Sequence, residues 1–157
     1  MLGTTRLLST AAALAATMVL SLGLATHPVP AVAQSSDAEQ QIQSVVEGFN
    51  YGMVDATAQR DPTIIRDYLT DEFYQAMVVE MRADWAAGLA ATDLVDLEWG
   101  TISVQDDEAT AYTVETWSLT GTDGSGGELP PEINLYRLVL QDGAWKIDAN
   151  EHPNSQF

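Results

Sequence analysis

The run Tyr136-Arg137-Leu138-Val139-Leu140-Gln141-Asp142-Gly143-Ala144-Trp145-Lys146-Ile147-Asp148 reads as two strands joined by a two-residue turn. Asp-Gly accepts the left-handed backbone that a tight hairpin needs, and β-branched, aromatic and long aliphatic residues flank it on both sides. The predicted strands are Ile133 to Gln141 and Ala144 to Ala149. Immediately upstream, Gly121 to Glu132 holds four Gly and two Pro and reads as a loop. Before it, Ala109 to Thr120 is rich in Thr, Tyr, Val and Trp, the composition of a long strand. Gln105-Asp106-Asp107-Glu108 is a polar turn. In Leu94 to Val104, Val95, Leu97 and Trp99 share one alternation phase while Ile102 and Val104 share the other. That exchange predicts a β-bulge at Gly100-Thr101.

Further towards the N-terminus the period changes from 2 to 3.6. Ser36-Asp37-Ala38-Glu39 has the form of a capping box, and Ile42, Val45, Val46, Phe49, Met53 and Ala56 then recur at helical spacing to about Gln59. Asp61-Pro62 opens a second helix, with Ile64, Ile65, Tyr68 and Leu69 facing inward. Thr70-Asp71-Glu72 opens a third, carrying Phe73, Met77, Met81, Trp85 and Leu89 and fading between Gly88 and Ala91. The expected architecture is α+β: three N-terminal helices packed on a strongly bent four-stranded antiparallel sheet.

Residues 1–33 contain no acid and a single base, Arg6. An apolar stretch from Leu7 to Ala25, a breaker His27-Pro28-Val29-Pro30 and the small residues Ala31-Val32-Ala33 predict a signal peptide cleaved after Ala33. Retention of the leader as an anchor is the alternative, since about 19 residues would just span a bilayer. Division of the chain follows: signal peptide 1–33, one domain 34–151, and a tail 152–157.

The full chain of 157 residues has 23 acids against 6 Lys and Arg, a formal charge of -17, and no Cys. Removing the leader keeps every acid and leaves Arg60, Arg66, Arg82, Arg137 and Lys146 as the bases. Such a surface repels phosphate backbones, which excludes a general nucleic-acid binder. Lack of Cys excludes a disulfide framework, a thiol nucleophile and a thiolate metal site. The acids are scattered along the chain, which suits a solvated extracytoplasmic surface better than a dedicated cation site.

A long N-terminal helix, a helix pair opened by Asp61-Pro62, a kinked sheet and the closing hairpin with its Trp145-Lys146-Ile147 strand together resemble the nuclear-transport-factor-2-like superfamily. The resemblance covers roughly Asp37 to Glu151. Within that superfamily, Ala111-Tyr112-Thr113-Val114-Glu115-Thr116-Trp117 is similar to the intermembrane-space domain of chloroplast-division proteins and their bacterial relatives. The resemblance implies a cone-shaped, cystatin-like fold, SnoaL-like in outline, with a pocket at its open end, in an exported bacterial protein. It implies no particular activity, because the superfamily mixes dehydratases, isomerases and epoxide hydrolases with modules that only bind.

Catalysis in such a cone needs a titratable group inside the pocket, where desolvation moves its pKa into a useful range. The one His after the leader, His152, stands in the tail. Tyr51, Asp55, Tyr74, Glu115 and Tyr136 remain as candidates, with Asp55 off the apolar stripe of the first helix. Glu115 shares a strand face with Thr113, Trp117 and Leu119. Two roles are open to it: a structural pair with Arg137 on the following strand, or an acid-base group working with Tyr136 or Tyr51. Phe49, Tyr74, Trp85 and Trp117 are the expected pocket residues. Asp123 and Glu128 sit in a glycine loop that lacks the alternating oxygens of a calcium loop, so no metal is expected.

The reading that results is an exported non-catalytic binding or protein-interaction module; the alternative is a small-pocket lyase or isomerase using a carboxylate and a Tyr. No cofactor is expected. The expected partner is a protein or a small apolar ligand, with no nucleic acid, no stable membrane insertion after cleavage, and a homodimer through the sheet as a further expectation.

Overall fold

In the computed structural model, residues 31–153 are described, with side chains from residue 36. The predicted leader up to residue 30 lies outside them, as do the last four residues of the tail. Two α-helices, one 3₁₀ helix and five strands follow in chain order: α1 Ala31–Gln59, the 3₁₀ helix Pro62–Tyr68, α2 Asp71–Ala87, β1 Leu89–Gln105, β2 Glu108–Gly121, β3 Gly126–Glu128, β4 Glu132–Gln141 and β5 Ala144–Glu151. The α+β architecture is the one expected, with a fifth, three-residue strand inside the glycine loop.

Helix α1 buries Ile42, Val46, Phe49 and Ala56, one stripe at helical spacing. The expected cleavage point after Ala33 falls within its first turn, and Ser36 to Glu39 lies inside the helix, so those residues do not cap it. Gly48 lets a neighbour approach: a Cβ there would stand 2.5 Å from the Tyr68 ring. The second helical segment is therefore pressed against the α1 backbone, as a tight 3₁₀ turn. Asp61 caps it by accepting the Thr63 amide at 3.0 Å.

Thr70 caps α2, its hydroxyl accepting from the Phe73 amide at 3.3 Å and donating to Asp148 at 3.0 Å. The Thr70 amide also donates to the Ile147 carbonyl at 2.9 Å, which fixes the start of α2 on β5. Tyr74, Val78 and Met81 are the most buried residues of α2, with Phe73, Met77 and Trp85 packed around them. Gly88, at φ 106, ends the helix in the left-handed conformation.

The antiparallel sheet runs β1-β2-β4-β5, with β3 paired to the end of β2. Pairing passes from Trp99↔Thr113 to Ile102↔Ala111, so Gly100 and Thr101 oppose one residue and form the predicted bulge. A second irregularity lies between Leu94 and Asp96, and it corrects the expected phase of Val95. Leu94 faces Trp117 on the inner side and Val95 is exposed. These bends curl the sheet around α1, with β1 running closest along the helix and Asn50 and Phe49 meeting the inner faces of β2 and β4. Asp142 and Gly143, at φ 52 and 81, form the closing hairpin turn.

Candidate functional site

Alternation along β2 turns Thr113, Glu115, Trp117 and Leu119 towards the helices. Glu115 is 2 % exposed. Its Oε1 accepts hydrogen bonds from Asn50 Nδ2 at 2.9 Å, Thr113 Oγ1 at 2.7 Å and Tyr136 Oη at 2.8 Å, and its Oε2 accepts from Trp117 Nε1 at 3.0 Å. Four donors from α1, β2 and β4 thus converge on one carboxylate. Tyr136 is itself fully buried, 3.1 Å from Asn50 Oδ1 and edge-on to Phe49 at 6.2 Å between ring centroids. Burial first, and then the Glu115 charge and hydrogen bond, push the Tyr136 phenol well above its ordinary range. At neutral pH it keeps its proton and acts as a donor.

Arg137 takes no part in this network, which corrects the expected Glu115–Arg137 pair. Between β2 and β4, Glu115 lies opposite Glu132 while Arg137 lies opposite Thr110. Adjacent residues on a strand point to opposite faces, so an inward Tyr136 places Arg137 outward. There its Nε donates to Glu151 Oε1 at 2.6 Å, with the two side chains 55 % and 47 % exposed.

Beyond Trp117, towards the open end of the sheet, lies a cavity of about 660 Å³. Its wall is formed by Met53 and Thr57 of α1, Met81, Asp84, Trp85 and Ala87 of α2, Leu89 and Thr92 of β1, Trp117 and Leu119 of β2, and the segment from Gly121 to Gly126. Gly126 shapes the rim: at φ 126, with its Cβ position 2.1 Å from the Leu119 carbonyl oxygen, it admits no side chain. Thr122 donates from its amide to the Gly88 carbonyl at 2.8 Å and ties the glycine loop to the end of α2. Glu115 and Tyr136 are not in the lining. Trp117 belongs to both regions, with its indole nitrogen bonded to Glu115 and its side chain in the cavity wall.

Of the expected pocket residues, Trp85 and Trp117 line the cavity. Phe49 and Tyr74 are core instead; Tyr74 carries the Arg66 guanidinium 5.0 Å above its ring. Glu115 and Tyr136 meet, but Tyr51 is 61 % exposed on the outer side of α1 and joins neither. His152 lies 3.5 Å from Glu132 at the surface. Among the described residues no group of three or more His, Cys, Asp or Glu is placed to hold a metal ion, and no helix is long and apolar enough to cross a membrane. Asn50 is a further site residue that the sequence reading does not single out, although a polar side chain four residues beyond Val46 on the buried stripe of α1 is a visible signal.

No family model matches the sequence, and no curated protein matches it. Solved structures do. The intermembrane-space region of chloroplast protein ARC6 superposes with a TM-score of 0.61 at 11 % identity, over 72 % of this chain and 94 % of that one. Rv3472, a protein of unknown function from Mycobacterium tuberculosis, gives 0.59 at 18 % identity, over 85 % and 79 % of the two chains. An NTF2-like protein with a cystatin-like fold from Novosphingobium aromaticivorans gives 0.54 at 14 % identity, over 80 % and 88 %. Identities this low speak to architecture alone. With its helices packed in a curled, unclosed antiparallel sheet, the chain has the nuclear-transport-factor-2-like, cystatin-like fold.

Proposed function

We propose that this protein is an exported, non-catalytic binding module whose cavity at Trp85 and Trp117 takes a small apolar ligand or an apolar side chain of a protein partner. The observation that carries the reading is the separation of carboxylate from cavity. An acid-base enzyme needs its titrating group in contact with the bound molecule. Here Glu115 is enclosed by four donors behind Trp117, and the cavity wall is mainly Met, Leu, Trp and small residues. A volume of about 660 Å³ suits a small molecule. Export rests on the leader-like composition of residues 1–33.

The lyase or isomerase alternative retains one observation, the 2.8 Å contact of Glu115 and Tyr136. It would require Trp117 to swing aside and break its bond to Glu115 before substrate could reach either group. A titration with a neutral apolar fluorophore tests the binding reading. Saturable one-to-one binding to the wild type, lost when Leu119→Trp fills the cavity, is expected. Failure of the fluorophore to saturate, or equal binding by the filled variant, would refute it.

A further inference from the structure

Each indole in the cavity wall keeps its polar atom out of the cavity. Trp117 Nε1 donates to Glu115 Oε2 at 3.0 Å, behind the wall. Trp85 Nε1 is itself buried and has no hydrogen-bond partner. Both side chains are nonetheless only half-buried and line the cavity, so what each presents there is ring carbon and not an N–H donor. The Thr92 hydroxyl is sealed in the same way. An unpaired buried N–H costs free energy that Leu or Phe at position 85 would avoid, so the fold gains nothing from the Trp85 nitrogen. What the indole supplies there is its ring.

Among the described residues the ring pair in contact is Phe49 with Tyr136, so Trp85 and Trp117 share the cavity without stacking on one another. Their rings are left for a guest. The thioethers of Met53 and Met81 and the side chains of Leu89 and Leu119 complete the apolar wall. Sulfur beside an aromatic ring is a favourable contact. None of the lining residues is Lys, Arg or His, and the chain carries 23 acids against 6 bases. An anionic head group would meet no counter-charge and an opposing field.

Resting on the binding-module reading of the same cavity, we infer that its ligand is an uncharged, flat, fused-ring aromatic molecule, held against the Trp85 and Trp117 rings and the Met53 and Met81 thioethers. A volume of about 660 Å³ accommodates such a ring system. A saturated molecule of the same skeleton gains the burial but lacks the ring–ring attraction. A carboxylate on the same skeleton is turned away by the field. Selection thus comes from the rings and from charge, with hydrogen bonds in a minor role.

Three probes share one skeleton: 2-naphthylmethanol, its fully saturated decalin analogue and 2-naphthoate, each titrated by calorimetry. Trp85→Leu removes a ring at no cost in hydrogen bonds, because Trp85 Nε1 makes none. It takes contact area from both alcohols alike, so the ratio of their affinities isolates the ring–ring contact. In Trp85→Leu that ratio is expected to move against the naphthyl alcohol by about two- to tenfold. Trp85→Phe, which restores a ring without the N–H, should recover most of the change. 2-Naphthoate should bind at least about fivefold more weakly than the naphthyl alcohol, and added salt should narrow the gap. A readout on the wild type alone keeps the test open should a variant fail to fold. Ring current from the naphthyl alcohol should displace the Met53 and Met81 methyl resonances well beyond the shift that the saturated alcohol produces. An unchanged affinity ratio in a folded Trp85→Leu, 2-naphthoate binding as tight as that of the alcohol, or equal methyl shifts from the two alcohols would overturn the aromatic assignment while leaving the cavity a binding site. Absence of saturable binding by all three would overturn both.

Discussion

Tyr136 Oη stands 2.8 Å from Glu115 Oε1, joining the inner faces of β4 and β2, and the same carboxylate oxygen holds Asn50 of α1 at 2.9 Å. One buried carboxylate therefore links the helix to two strands of the sheet that wraps it. Of its four donors, Tyr136 alone has a second acceptor, Asn50 Oδ1 at 3.1 Å. Replacing Glu115 by Leu leaves Asn50, Thr113 and Trp117 short of an acceptor, and a loss of roughly 3–5 kcal/mol is expected. Glu115→Gln, which keeps one acceptor oxygen, should cost about 1–3 kcal/mol. Urea denaturation of the two variants measures both; a Leu variant as stable as wild type would show that the network does not hold the fold.

Tyr136 gives the fold an alkaline limit with a defined sign. Because the folded-state phenol titrates above its unfolded value, the stability it contributes is complete below about pH 10 and is lost as pH rises through the folded pKa. Wild type should thus lose stability more steeply than Tyr136→Phe as pH rises from about 10 upward. Parallel pH profiles for the two proteins would contradict the shift. Thermal melts across that range provide the measurement.

Arg137 and Glu151, although only 2.6 Å apart, are about half exposed. Exposed ion pairs contribute about 0–1 kcal/mol, so Arg137→Ala should remain within about 1 kcal/mol of wild type. Chemical denaturation at low and high salt checks this, and a larger loss would place Arg137 in a structural role that its outward position does not provide.

Gly126 cannot be replaced without moving β3. An added Cβ would clash with the Leu119 carbonyl oxygen, and φ 126 is strained for any other residue. Gly126→Ala is expected to cost at least about 1–3 kcal/mol locally and to open the rim of the cavity. The Leu129 amide, which bonds the Trp117 carbonyl at 2.7 Å, should then exchange faster with solvent. Unchanged exchange at Leu129 would mean that the loop tolerates the substitution.

Much of the fold was legible because its signals are local. Asp142-Gly143 sets its own turn geometry, and the change of phase across Gly100 reveals a bulge without knowledge of the partner strand. The second bulge was hidden because Leu94 and Val95 are both apolar, so either could have faced inward. Strand β3 was not predictable from Gly126-Gly127-Glu128, a run with little strand propensity; it forms because glycine permits a close approach to β2. The expected pairing of Glu115 with Arg137 fails for a different reason. Adjacency of strands suggested Arg137, but alternation beside the inward Tyr136 sends Arg137 to the opposite face. Asn50 carried a visible signal, a polar residue on a buried stripe. The cavity is legible in part: the resemblance implies a pocket and Trp85 and Trp117 do line it, whereas the rest of its wall depends on where side chains from α1, α2, β1 and β2 fail to meet.

The central claim, that the cavity binds while the carboxylate behind it holds the structure together, is tested most directly by following methionine methyl resonances during a titration with decanol. Met53 and Met81 line the cavity, whereas Met77 packs on the core outside it. The account predicts that the Met53 and Met81 methyl signals shift saturably while Met77 stays in place. Stationary Met53 and Met81 signals, or a shift of Met77 equal to theirs, would contradict it.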